Sequence, residues 1–228
     1  MVEIRENVAR VRERVAAALE RSGRSGQEVT IVGITKTFGP EAVNALIDAG
    51  VTDVGENRVQ EFLAKRDAVG PRCRWHLVGH LQRNKASKVV GRFHAVHSID
   101  SLRIAEALDR LGAECGARTR VFLQVNTSAE QTKYGFPVEE AAEGALRVAE
   151  LANLEFLGLM TIGPVSVDPA ATRACFRTLR RLREDIEKSL KTPLADLSMG
   201  MSEDFEIAIE EGATVIRLGR VLLGERRP

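Results

Sequence analysis

The sequence predicts one α/β domain over residues 1–228, folded as a single (β/α)8 barrel of the TIM type. Eight short aliphatic or β-branched runs alternate with helical patterns along the chain, and such alternation predicts parallel strands covered by helices. No linker and no low-complexity segment interrupts it. A doubly wound open sheet is the alternative, although the glycine fingerprint of dinucleotide-binding sheets is missing after the first strand.

An extra helix is expected before the first strand. Its apolar residues recur at spacings of three and four, with Arg and Glu between them: Ile4, Val8, Val11, Val15 and Leu19. This spacing indicates an amphipathic helix, which should end near the Ser22-Gly23 pair. Because the helix precedes the first strand, we expect residues 1–24 to pack outside the barrel.

The first predicted strand, residues 29–37, ends in a single lysine. It contains no other charge, which is typical of a strand buried on both faces. The Phe38-Gly39-Pro40 break places Lys36 at the carboxyl end of this strand, where α/β folds bind ligands. A partly desolvated lysine there is a usable amine nucleophile. A solvated lysine at a strand exit is the plainer interpretation.

The remaining elements follow in order. The other seven predicted strands span residues 52–55, 74–79, 95–100, 119–125, 154–160, 197–200 and 213–218. The predicted helices cover residues 41–49, a segment through Val59, Phe62 and Leu63, a segment that opens at 81–85, residues 102–111, 138–151, 172–190 and 202–210, and a short C-terminal helix.

Composition narrows the functional class. A formal net charge of +1 argues against a nucleic-acid partner that needs a strong basic field. No apolar run approaches the length of a membrane span, and no signal-peptide pattern opens the chain. The cysteines lie far apart at Cys73, Cys115 and Cys175, as reduced structural thiols do. We therefore expect a cytoplasmic protein, and we expect it to be a monomer.

Polar side chains collect at the predicted strand exits: Lys36, Asn57, His76, Asn126, Ser198 and Arg217. In a barrel these exits ring one mouth, so that the side chains could converge. Arg217 lies inside an apolar strand, on the face that it shares with Val215 and Gly219, and a charge there needs a partner. Either a ligand or a buried carboxylate could supply that partner.

An anion site is predicted next to this mouth. The Met199-Gly200-Met201-Ser202 segment is a turn that leads into a helix, and Leu218-Gly219-Arg220 ends the neighbouring strand. Barrels often bind phosphate in the loops after strands seven and eight. Glu203 and Asp204 are expected to face solvent, because they would otherwise repel an anion.

No metal is expected from the histidines. His76 and His80 are four residues apart, but His80 follows Gly79 in a predicted loop and no carboxylate pattern accompanies the pair.

Several of these blocks resemble the YggS/PROSC family of pyridoxal-phosphate-binding proteins. They are Thr35-Lys36-Thr37, Gly55-Glu56-Asn57-Arg58, the run from His76 to Lys85 (HLVGHLQRNK), Gly158-Leu159-Met160, the run from Leu197 to Ser202 (LSMGMS) and Ile216-Arg217-Leu218-Gly219. The resemblance runs from the first strand to the C-terminus. It implies the barrel of the N-terminal domain of alanine racemase without the β-rich second domain.

The resemblance also implies a cofactor and its site. Lys36 would hold pyridoxal 5'-phosphate as an internal aldimine, and Arg217 would face the pyridine nitrogen. Ser202, Gly219 and Arg220 would lie at the phosphate, although many members of the family have threonine where this chain has Arg220. The residues implied around the ring are Asn57, His76, Met160, Ser198 and Met201.

The family acts in vitamin B6 homeostasis, which implies a carrier or buffer that delivers the cofactor to apo-enzymes and has no established catalytic reaction. Arginine stays protonated, so it leaves the ring nitrogen unprotonated and the ring a poorer electron sink. The alternative is a single-domain racemase or lyase, which would need a second acid/base such as His76 or Tyr134. A cofactor-free phosphosugar isomerase is a third possibility, with Glu56 as its candidate carboxylate.

Overall fold

The computed structural model describes residues 2–128, 130, 132–165 and 168–225. Its strands are β1 (Thr30–Ile34), β2 (Asp53–Glu56), β3 (Arg74–Leu77), β4 (Ala95–Ile99), β5 (Thr119–Asn126), β6 (Phe136–Pro137), β7 (Leu154–Met160), β8 (Asp196–Ser198) and β9 (Val215–Leu218). Eight of these strands run parallel in the ring order β1-β2-β3-β4-β5-β7-β8-β9, and β9 pairs again with β1. The two-residue β6 pairs with β5 outside this ring.

The ring is closed, which confirms the predicted barrel and excludes the open sheet. β4 pairs with β5 through Val96 and Val121, and β1 pairs with β9 through Val32 and Arg217. An open sheet would leave two edge strands without a second neighbour. Closure therefore brings the carboxyl ends of all eight strands to one mouth.

The α-helices lie outside the ring. They are α1 (Val2–Arg21), α2 (Pro40–Asp48), α3 (Val59–Val69), α4 (Leu102–Cys115), α5 (Val138–Ala149), α6 (Pro169–Leu190), α7 (Phe205–Glu210) and α8 (Arg220–Leu223). Short 3-10 helices occur at Gly70–Arg72 and Arg83–Lys88. None of the described helices is long and apolar enough to cross a bilayer.

Three helix predictions differ from the structure. The segment that opens at residue 81 forms only the 3-10 helix Arg83–Lys88, and a turn that contains Gly91 with φ +69° follows it. α6 begins three residues earlier than predicted because the Asp168 carboxylate caps it, accepting a 2.9 Å hydrogen bond from the N–H of Ala170. α7 begins only at Phe205, and a turn occupies residues 202–204.

The apolar core has two layers, because successive side chains of a barrel strand point alternately inward and outward. The inner layer fills the barrel with Val32, Ile34, Ala95, Phe122, Met160 and Val215. The outer layer packs the other strand faces against the helices, for example Trp75 of β3 against Phe62 of α3, whose ring centroids lie 5.4 Å apart. Val32 and Ile34 of the first strand therefore point into the barrel.

α1 packs against the last two helices of the barrel. It contacts α7 and α8. The Asn7 amide donates to the carbonyl of Leu222 at 3.0 Å, and Arg14 pairs with Glu206 at 3.0 Å. α1 therefore covers the outer face of the last barrel helices.

Candidate functional site

A cavity of about 260 Å³ opens at the carboxyl-terminal mouth of the barrel. Four of the residues predicted for the site line it: Lys36, Asn57, Met201 and Arg217. Ile34, Val78 and Ile162 supply an apolar wall. The structure thus combines an amine, a guanidinium and an apolar surface in one small space.

The loop that carries Lys36 is tied down from two sides. The ammonium of Lys65 donates to the carbonyl of Thr35 at 2.8 Å, and the N–H of Thr37 donates to the Glu61 carboxylate at 3.1 Å. Thr37 adopts a left-handed conformation with φ 70°, which is uncommon for a β-branched residue. These contacts fix the backbone on both sides of Lys36.

Glu56 lies behind this loop and does not line the cavity. Its Oε1 accepts hydrogen bonds from the Thr35 hydroxyl at 2.6 Å and from the Lys65 ammonium at 2.7 Å. Burial raises the pKa of Glu56, and its bonds to Lys65 and Thr35 oppose that rise. A fully buried carboxylate in this position is a structural group, which removes the carboxylate that the isomerase interpretation requires.

Arg217 is buried at the floor of the cavity. It donates to the Ser198 hydroxyl at 2.7 Å and to the carbonyl of Thr161 at 2.7 Å. Burial lowers the pKa of Arg217 to about 10, against the opposing effect of the Asp204 carboxylate. Both hydrogen-bond partners are neutral oxygens, so neither of them balances the charge of this guanidinium.

Three other residues predicted around the ring lie deeper. Met160 belongs to the inner apolar layer. The Ser198 hydroxyl bonds to Arg217 and to His97 Nδ1, the latter at 2.8 Å. His76 faces a separate cavity of about 120 Å³. β3 ends at Leu77, so the side chain of His76 enters the barrel below the mouth instead of pointing into it.

The region predicted to bind phosphate brings Ser202 close to the start of α8. The Ser202 hydroxyl accepts a 3.3 Å hydrogen bond from the N–H of Val221 in α8, and Gly219 immediately precedes that helix. Arg220 turns its guanidinium toward the exposed Glu203 carboxylate at 3.2 Å.

The prediction that Asp204 faces solvent is wrong. Its carboxylate accepts a 2.5 Å hydrogen bond from the N–H of Met201, which turns the side chain inward. Burial raises the pKa of Asp204, and the Met201 N–H opposes this rise. The turn over residues 202–204, which replaces the predicted first turn of the helix, accounts for the change.

The cavity also contains Tyr134, a candidate acid/base of the racemase alternative, and three polar residues that were not predicted for the site: His80, Gln124 and Lys133. The His80 and Tyr134 rings stack with centroids 4.1 Å apart, and Gln124 donates to the Tyr134 carbonyl at 2.8 Å. The Lys133 ammonium contacts the Glu130 carboxylate at 2.6 Å and the Gly163 carbonyl at 2.7 Å. Lys133 and Tyr134 lie in the loop after β5, which carries no strand-exit pattern, so only the position of this loop at the cavity reveals them.

Gly79 at the cavity wall permits a close approach of two loops. A Cβ at this position would lie 2.3 Å from the carbonyl oxygen of Asn57. Any larger residue would push Asn57 away from its place beside Lys36.

The histidines do not form the pair considered from the sequence. His80 Nδ1 bonds to Asp100 at 2.5 Å, while His76 bonds to Asp53 and to His97. Donor atoms of Asp53, His76 and His94 lie within 4.8 Å of one another. However, Arg74 already binds both Asp53 oxygens and Arg120 contacts His94 Nε2. A divalent cation would have to displace both guanidinium groups.

Comparison with known proteins places the chain in a family. Residues 3–227 match the family described as "Alanine racemase, N-terminal domain". A pyridoxal phosphate homeostasis protein of Aquifex aeolicus is 40% identical over 223 residues, which are 97% of this chain and 98% of the relative. A structure of PipY from Synechococcus elongatus, with PLP bound, is 33% identical with a TM-score of 0.85, covering 97% of this chain and 100% of PipY.

The wider similarity concerns the fold alone. An alanine racemase of Clostridium difficile in complex with cycloserine is 15% identical with a TM-score of 0.81, and the match covers 100% of this chain but 61% of the racemase. Because the family match spans nearly the whole chain and the Aquifex relative aligns from end to end, this chain belongs to the alanine racemase N-terminal domain family and to its pyridoxal phosphate homeostasis proteins.

Proposed function

We propose that this chain binds pyridoxal 5'-phosphate and acts in its homeostasis as a carrier or buffer, with Lys36 as the point of covalent attachment. The observation that carries the proposal is the mouth cavity, which joins the Lys36 amine to the buried Arg217 guanidinium. The name of the Aquifex relative and the PLP in the PipY structure agree with this ligand.

The residues present fit the three functional groups of the cofactor. When bound, pyridoxal phosphate supplies an aldehyde that reacts with a primary amine, a pyridine nitrogen and a phosphate. Lys36 offers the amine, and Arg217 offers N–H groups to a ring nitrogen that carries no proton. Ser202 and the start of α8 lie beside Met201 at the rim, where a phosphate would be held. Ile34, Val78 and Ile162 would contact the ring.

The site also suits release of the ligand. Met201 and Tyr134 at the cavity are 38% and 58% exposed, so the mouth is accessible from solvent. We propose that apo-forms of pyridoxal-phosphate enzymes are the recipients and that the carrier acts as a monomer. Its three cysteines are free thiols, which suits the reducing cytoplasm that we propose as its location.

Peptide mapping tests the attachment. The purified protein should be yellow after incubation with pyridoxal phosphate, and borohydride should fix the cofactor on the peptide that contains Lys36. Lys36→Ala should abolish the label, whereas Lys188→Ala at an exposed helix position should retain it. Recovery of the label on Lys85 or Lys133 would contradict the assignment.

A second experiment tests delivery. The loaded protein is mixed with an apo-aminotransferase in the presence of a scavenger of free pyridoxal phosphate. Activity of the aminotransferase should return faster than with the same amount of free cofactor. Equal rates of reactivation with the loaded protein and with free cofactor would contradict the carrier role.

A single-domain racemase or lyase is the second candidate, because Tyr134 places a phenol at the cavity. Racemisation needs acid/base groups on both faces of the substrate Cα. His76, the other candidate acid/base, is buried with both ring nitrogens hydrogen-bonded. We expect negligible Cα exchange for L-alanine and L-serine in deuterated water. Sustained exchange that disappears in Lys36→Ala would favour the enzyme.

A further inference from the structure

A continuous chain of hydrogen bonds crosses the barrel interior below the mouth. It begins at Arg217, which donates to the Ser198 hydroxyl at 2.7 Å. Ser198 Oγ lies 2.8 Å from His97 Nδ1, and His97 Nε2 lies 2.9 Å from His76 Nδ1. His76 Nε2 lies 2.9 Å from Asp53 Oδ1. All five residues are buried, and they come from strands β9, β8, β4, β3 and β2.

With one proton on each imidazole, the two ends determine the direction of every bond in this chain. Arginine can only donate and an ionised carboxylate can only accept. His76 must therefore donate from Nε2 to Asp53, which leaves its Nδ1 as an acceptor for the Nε2–H of His97. His97 Nδ1 then accepts from the Ser198 hydroxyl, whose lone pair accepts from Arg217. In this arrangement each imidazole carries its proton on Nε2.

The surroundings of the chain support this assignment. Burial alone would raise the pKa of Asp53, but hydrogen bonds from Arg74 and His76 outweigh it and hold that pKa well below its usual value. Burial holds the pKa of His97 well below its usual value, as a neutral ring requires. The His97 ring also stacks on Phe122 at 4.4 Å, which limits its rotation.

The chain determines how Ser198 meets Arg217. With its hydrogen committed to His97, the Ser198 hydroxyl presents a lone pair to the guanidinium. The Thr161 carbonyl holds a second N–H of the same guanidinium. Without His97, the Ser198 hydroxyl could rotate and its hydrogen would compete for the space that Arg217 occupies. The orientation of Arg217 therefore depends on groups that do not line the mouth cavity.

We propose that Asp53, His76 and His97 are positioning residues that act through Ser198 to orient the Arg217 guanidinium toward the ring of the bound cofactor. This inference rests on the proposed function, since it assumes that the ring faces Arg217. Asp53, His76 and His97 all line the lower cavity of the barrel. The residues of this cavity thus tune the site at the mouth.

Nitrogen NMR of the wild-type histidines tests the chain without any variant. Long-range ¹H–¹⁵N spectra should show His76 and His97 protonated at Nε2 and bare at Nδ1, with and without pyridoxal phosphate. An Nδ1-protonated tautomer at either ring would overturn the proposal. This result is readable even if the protein fails to bind the cofactor, which would contradict the proposed function alone.

Variants test the effect on the cofactor. Asp53→Asn and His97→Leu should shift the absorption maximum of the bound cofactor and weaken its binding about three- to tenfold, as expected for one weakened hydrogen bond. His97→Asn should recover part of the effect, because its amide oxygen can accept from Ser198. His94→Gln is the matched control, since His94 lies on the same lower cavity but outside the chain, and it should leave both readouts unchanged.

A purely structural role would give a different pattern. The unfolding temperature of His97→Leu would fall, while the absorption maximum and the dissociation constant of its folded fraction stayed at wild-type values. That pattern, or equal shifts in His94→Gln and Asp53→Asn, would overturn the proposal. If His97→Leu and Asp53→Asn do not fold, the histidine tautomers measured by NMR in the wild-type protein decide whether the proposal holds.

Discussion

The Lys65 ammonium lies 2.7 Å from Glu56 Oε1, and both side chains are almost completely buried behind the loop that carries Lys36. The same ammonium holds the carbonyl of Thr35. Glu56 Oε2 has no hydrogen-bond partner among the described residues. The negative charge of Glu56 is therefore balanced by Lys65. Removing either partner leaves the charge of the other buried without compensation.

Lys65→Met should destabilise the protein by about 3–5 kcal/mol, because it leaves the Glu56 carboxylate buried and unpaired. Chemical denaturation measures the free energy of unfolding. Lys188→Met is the matched control, since Lys188 pairs with Asp185 at the surface, and it should leave the midpoint almost unchanged. The double variant Glu56→Gln/Lys65→Met should recover much of the loss. Equal losses in the single and double variants would show that lost packing, not the unpaired charge, is responsible.

Arg217→Gln should change the absorption spectrum of bound pyridoxal phosphate and weaken its binding about 10- to 100-fold. The reason is the loss of a charged donor at the ring, where such a hydrogen bond contributes about 1.5–3 kcal/mol. A spectral titration measures both effects, with Arg181→Gln at an exposed position of α6 as control. Unfolding of Arg217→Gln with an unchanged spectrum of the folded fraction would instead make Arg217 a structural residue.

The phosphate should contribute much of the affinity. Charge-assisted hydrogen bonds are worth about 1.5–3 kcal/mol each, so pyridoxal should bind orders of magnitude more weakly than pyridoxal phosphate. Ser202→Ala should narrow the gap between the two ligands, because its hydroxyl lies beside the start of α8. Ser189→Ala, in the solvent-exposed part of α6, should leave the gap unchanged. Comparable affinities of the wild-type protein for pyridoxal and pyridoxal phosphate would contradict the proposed phosphate site.

Asp53 should make the fold sensitive to acid. Its pKa is lower in the folded protein than in the unfolded chain, so the native state binds fewer protons and gains stability as pH rises. This contribution is complete above the unfolded value of about 3.9 and disappears as pH falls toward the folded value. The free energy of unfolding of Asp53→Asn should vary less between about pH 5 and pH 2 than that of the wild type. An identical pH dependence would contradict the depressed pKa.

Much of the fold follows from local sequence patterns. The alternation of strand and helix signals predicted the barrel, and the break after the first strand predicted that Lys36 stands at its carboxyl end. Arg217 was predicted as a charge inside an apolar strand, on the face that it shares with Val215 and Gly219. Such predictions succeed because burial of a strand side chain depends on its own position in the alternation.

The parts that needed the tertiary structure are those that join distant segments. Alternation cannot tell which strands are neighbours, so it did not reveal the bonds from Asp53 through His76, His97 and Ser198 to Arg217. Nor could it show that Asp204 turns inward, since that depends on the turn before α7. The sequence determined which side chains enter the barrel. Ring closure and strand register decided which of them touch, because they join strands that lie far apart in the chain, as the bond between His97 and Ser198 does across 101 residues.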